Sequence, residues 1–186
     1  MKKFIFIFVF ILFSCSNDDD EVMFYDSPSP FDYGWVNAEK NGANWEAHSW
    51  ATDRRRDEVW SYFSLVFTLY NQDGFILELF SIEGIPKEEG TYNITNDPEF
   101  RVVEHAKGYY STLIEDGHIM CDSYNVDESF LDINKIAVSE FKEETGEIWG
   151  SFNVELKKID ITNCDPDAPG IISFTNAEFY AKIINQ

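Results

Sequence analysis

From Tyr33 onward apolar side chains recur with a period of two, and no other property of the chain limits its fold more. Successive side chains of an extended strand point to opposite faces, so this pattern defines an inner and an outer face. Val59, Ser61, Phe63, Leu65, Phe67 and Leu69 share one face, with Trp60, Tyr62, Ser64, Val66, Thr68 and Tyr70 on the other. Gln72-Asp73-Gly74 interrupts this run and Phe75 to Ile82 resumes it, which predicts a hairpin. Ile148, Gly150, Phe152, Val154 and Leu156 alternate with Trp149, Ser151, Asn153 and Glu155, as in a half-buried antiparallel strand. The segment from Ile171 to Ile183 sets Ala177, Phe179, Ala181 and Ile183 on one side.

Turn-forming residues recur between these runs: Asn41-Gly42, Asp53 to Asp57, Asp73-Gly74, Glu89-Gly90, Asp116-Gly117 and Thr145-Gly146. No segment sustains a 3.6-residue period; Lys135 to Phe141 reads as a strand or a single helical turn. The expected fold is all-β, an antiparallel β-sandwich or a partly closed β-barrel of roughly eight to ten strands. One domain is expected over residues 33–186, without internal repeats, and with Pro86 and Pro98 in turns.

The first residues follow a different rule. Lys2 and Lys3 precede an apolar run, Phe4 to Phe13. As a helix this run rises about 15 Å, half of what a bilayer core needs, so it predicts a signal peptide over residues 1–14. The closing Leu12-Phe13-Ser14-Cys15 resembles the lipobox of bacterial lipoproteins, with Phe13 bulkier than usual. The resemblance implies cleavage before Cys15, a diacylglycerol on its thiol and an acyl chain on its amine. Such an anchor holds a protein durably on a membrane. The alternative is an ordinary secretory peptide with an incidental cysteine.

Ser16-Asn17-Asp18-Asp19-Asp20-Glu21 is similar to the acidic export signal of Bacteroidota-type surface lipoproteins. It also reads as a solvated, self-repelling spacer. Residues 15–32, with the stiffening Pro28 and Pro30, are expected to form the lipidated Cys and its tether. The implied location is the outer membrane, on the cell surface, with the periplasmic face as the alternative. Within the body, Ala38-x-x-Asn41-Gly42-x-x-Trp45-x-Ala47, Gly90-Thr91-Tyr92, Tyr110-x-Thr112, the strand from Gly146 to Phe152, and Phe174 with Phe179 resemble small β-rich Bacteroidota lipoproteins of unknown function. That resemblance implies a secreted all-β domain and supplies no catalytic residues.

Fourteen Lys and Arg stand against 34 Asp and Glu, a net charge of -20. Phosphate recognition requires a cationic surface, so a nucleic-acid partner is not expected. Removing residues 1–14 takes away two lysines and no acid, making the mature chain more acidic still.

With Cys15 lipidated, Cys121 and Cys164 remain. In an oxidising compartment they are a candidate disulfide; the other reading is a buried free Cys121 and an exposed Cys164. No metal or cofactor is expected. His118 and Cys121 fall on opposite faces of a strand, and Asn163-x-Asp165-x-Asp167 lacks a Glu at the twelfth position, where Phe174 stands. Gly-x-Ser-x-Gly, His-Glu-x-x-His, phosphate-loop and Cys-x-x-Cys motifs are absent, so no catalytic residue is assigned and the chain is not expected to be an enzyme.

The aromatic side chains are the informative candidates. Parity puts Trp45 with Ala47 and Ala51 on the core face. Trp50, Trp60, Tyr62 and Trp149 fall on the opposite, more polar faces, where they could stack on sugar rings or anchor a protein. The same positions could equally be covered by loops or by a second sheet. Arg54-Arg55-Arg56 is expected at a hairpin tip. The leading expectation is a binding module for a glycan or an envelope protein. A structural or inhibitory envelope component comes second, and a glycan-active enzyme third.

Overall fold

The computed structural model describes residues 33–55, 61–96, 105–114, 116–159 and 164–184. The leader, Cys15, the tether, Arg56, Trp60, Pro98 and Asn163 lie outside these residues. The chain is all-β. Its strands in order are β1 (Gly34–Lys40), β2 (Ala43–Arg55), β3 (Ser61–Tyr70), β4 (Ile76–Pro86), β5 (Gly90–Thr95), β6 (His105–Ile114), β7 (Ile119–Val126), β8 (Lys135–Lys142), β9 (Glu147–Ile159) and β10 (Ile171–Ile184). Lys135 to Phe141, open between strand and turn in the sequence, is strand, and a 3₁₀ turn over Glu128–Phe130 precedes it.

The expected turns join the strands where sterics allow. Asn41 and Gly42 both take positive φ, 52° and 78°, so Lys40 and Ala43 face each other across a two-residue connection. Between β3 and β4 the Asn71 carboxamide oxygen accepts from the Asp73 and Phe75 amides, at 3.0 and 2.9 Å. The polar Asp53 to Arg55 stretch, expected as a turn, is the end of β2 instead, because it pairs in register with Phe63 to Ser61. Pro86 ends β4 opposite Tyr62.

The pairings return to their start. β1–β2–β3–β4–β6–β7–β9–β10 and back to β1 is a ring of antiparallel neighbours. Two short parallel ladders join β5 to β6 and β10 to β2. A second route between β6 and β9 runs through β5 and β8. The fork lies at Gly108: β6 pairs β5 through His105 to Lys107 and β7 from Tyr109 onward. A Cβ on Gly108 would stand 2.7 Å from a Val126 methyl and 2.8 Å from an Ile94 methyl, so the fork needs the missing side chain.

Inward positions fill the ring with rings. Phe80 stacks on Phe174 at 5.2 Å and 5°, and meets Phe152 edge-on at 5.4 Å. Phe67 and Tyr110 extend this cluster, and all five side chains are buried. Trp45, Ala47 and Ala51 are buried as their parity predicts. Buried Asn134 replaces ladder bonds where strands diverge: it donates to the Asp127 carbonyl at 2.8 Å and accepts from the Glu155 amide at 2.8 Å.

Candidate functional site

Outward positions of four neighbouring strands carry an aromatic band. Register decides its membership: Trp149 on β9 faces Tyr180 on β10, Tyr180 faces Trp35 on β1, and Trp35 faces His48 on β2. Directly opposed side chains on one face are close enough to touch. The Trp149 and Tyr180 rings lie 4.9 Å apart, and His48 and Tyr70 on β3 lie 5.8 Å apart. Trp35 is 43% exposed, the most open member. Buried Ser49 lies beneath, its hydroxyl bonding the Tyr180 carbonyl and 3.3 Å from that of Trp35.

Charged groups border one end of the band. Lys142 Nζ sits 4.4 Å from the Trp149 ring centroid, a cation–π distance, and 3.4 Å from Glu140. The Tyr180 hydroxyl donates to Glu147 at 3.2 Å; burial first and then that carboxylate raise its pKa. Burial lowers the His48 pKa, which keeps its imidazole neutral at neutral pH.

The structure brings together two of the four aromatics that parity selected. Trp149 is in the band. Trp50 shares the outer face of β2 with His48, two residues along, and is half-buried. Tyr62 does not join: it lies four residues along β3 from Val66, the partner of Trp50, a run of about 13 Å. Trp60 lies outside the described residues. Parity alone does not single out Trp35, His48 or Tyr180. The alternation of Tyr180 against Phe179 and Ala181 marks it as outward, but only register shows that it bridges Trp149 and Trp35.

A second polar constellation plugs the opposite end of the ring. Lys40 Nζ lies 2.6 Å from Glu78 Oε1 and donates to the Tyr110 hydroxyl at 3.2 Å. The Trp45 indole donates to Glu78 Oε2 at 2.8 Å. Both carboxylate oxygens are thus engaged, and burial followed by Glu78 holds the Tyr110 phenol far above its ordinary pKa. The arrangement neutralises polar groups brought into a largely apolar interior.

Among the described residues no group of three His, Cys, Asp or Glu is placed to hold a metal ion. Asp165 Oδ1 accepts from the Asp167 amide at 2.9 Å, as in an Asx turn. Cys121 is buried on β7 and Cys164 exposed in the β9–β10 connection, both as free thiols. No family model, no curated protein and no solved structure matches the chain.

Proposed function

We propose that this protein is a lipid-anchored lipoprotein of the bacterial outer membrane, displayed on the cell surface, whose β domain is a non-catalytic binding module. The ligand is a neutral glycan, received on the band of Trp35, His48, Trp50, Trp149 and Tyr180. The observation that carries this reading is the contiguity of Trp149, Tyr180 and the 43%-exposed Trp35 across three hydrogen-bonded strands. Half-open ring faces offer stacking surface to the C–H faces of sugars. Glu140, Lys142 and Glu147 beside them are acceptors and a donor for hydroxyl groups. The net charge of -20 disfavours polyanionic ligands, which leaves neutral sugars as the best match.

The test is tryptophan fluorescence titration with a panel of neutral polysaccharides, on the wild type and on Trp35→Ala and Trp149→Ala. A spectral shift that both variants abolish supports the reading. No response to the panel, or a response that both variants retain, removes it. The anchor is tested separately by mass spectrometry of the mature N-terminus. A Cys15→Ala chain that matures and stays membrane-bound without an acyl chain refutes the lipoprotein assignment.

A further inference from the structure

The connection between β9 and β10 is fastened onto β7 by contacts on either side of the two body cysteines. Lys158 on β9 reaches Asp122, next to Cys121, at 2.9 Å, and the Asp165 carbonyl, next to Cys164, at 3.3 Å. The Tyr124 hydroxyl donates to the Pro169 carbonyl at 3.0 Å, and the Lys158 amide to the Gly170 carbonyl at 2.9 Å. One ammonium therefore holds the neighbours of both thiols. Cys121 is 3% exposed, with its sulfur 3.5 Å from Asp122 Oδ2, whereas Cys164 is open to solvent. Burial pushes the Cys121 thiol up to about 11, and the adjacent Cys164 and Asp122 side chains add to the rise. The thiols are thus neighbours, one accessible and one sheltered.

We propose that Cys121 and Cys164 are joined as an intramolecular disulfide that latches the 164–170 segment onto β7. The oxidant is a disulfide of the exchange type, small or protein-borne. The exposed Cys164, as thiolate, attacks one sulfur of that donor and forms a mixed disulfide, releasing the donor's other half as a thiolate that takes up a proton. Cys121 then loses its proton and attacks the Cys164 sulfur, expelling the second half, which is protonated in turn. Two protein thiols are oxidised and one donor disulfide becomes two thiols. The latch requires the two Cα atoms to settle within about 4.4–6.8 Å, which the Lys158 tie favours.

The experiment exposes the purified full chain to oxidised glutathione, blocks remaining thiols by alkylation, and maps peptides without reduction. The expected product is one linked species containing Cys121 and Cys164, two hydrogens lighter than the separate peptides and absent from Cys164→Ser. That variant changes an exposed position, so folding is preserved, and its Cys121 should remain unmodified. Glutathione persisting on Cys164, both residues recovered alkylated, or Cys164 joined to Cys15 or to a second chain would each overturn the proposal.

Discussion

Glu78→Gln tests whether the Lys40–Glu78 pair neutralises charge or merely decorates the rim. The substitution keeps the shape and leaves an amide oxygen to accept from the Trp45 indole. It strips Lys40 of its counter-charge, leaving the neutral Tyr110 hydroxyl as its partner at 3.2 Å. Removing one partner of a fully buried pair costs about 3–5 kcal/mol. Here the two side chains keep 24% and 16% of their exposure, so solvent screens part of the charge. A loss of about 2 kcal/mol is expected, or about 4–8 °C in Tm for a domain of this size. Adding Lys40→Met removes the orphaned ammonium. The double variant should therefore be more stable than the sum of the two single losses implies, by at least about 1 kcal/mol. Urea unfolding followed by tryptophan fluorescence, on all four chains of the cycle, measures this. A Glu78→Gln loss below about 0.5 kcal/mol, or a coupling energy near zero, would refute the argument.

Phe80→Ala should cost about 4 kcal/mol, against about 1.5 for Phe80→Leu, because Phe80 touches Phe67, Tyr110, Phe152 and Phe174; near-equal urea midpoints for the two would contradict this packing. Gly108→Ala should lower stability by about 1–3 kcal/mol through collision with Ile94 and Val126, and a Tm equal to wild type would count against the fork as described. His48 has a lowered pKa in the folded chain, so the unfolded chain binds more protons just below the ordinary imidazole value of 6.5. Stability should therefore fall as pH falls through that window, and His48→Phe should flatten the fall; an unchanged slope in urea midpoints between pH 7 and roughly 5.5 would dismiss it.

The strands were legible because each needs only its own alternation. Phe63, Leu65 and Phe67 turn inward for the reason the sequence makes plain, and the core side of Trp45 follows from Ala47 and Ala51. The band was half legible. Parity gives Trp50 and Trp149 their outward direction, but neighbourhood across strands depends on register, which no single strand contains. Trp35 and Tyr180 are 145 positions apart in the chain and adjacent in the sheet. The Lys40–Glu78 pair spans 38 residues and several strands, so no local spacing could have shown it. Parity also fails locally at bulges: between Phe174 and Ala177 the register with β9 shifts, and both residues nonetheless point inward.

The ring of pairings has a consequence for how such molecules meet one another. Among the described residues each of the ten strands has hydrogen-bonded companions on both flanks for at least part of its length. A growing fibril needs an open row of amides and carbonyls as its template, and this arrangement leaves little of one to copy. Crowding many copies together should thus favour encounters between side chains rather than the seeding of cross-strand polymers.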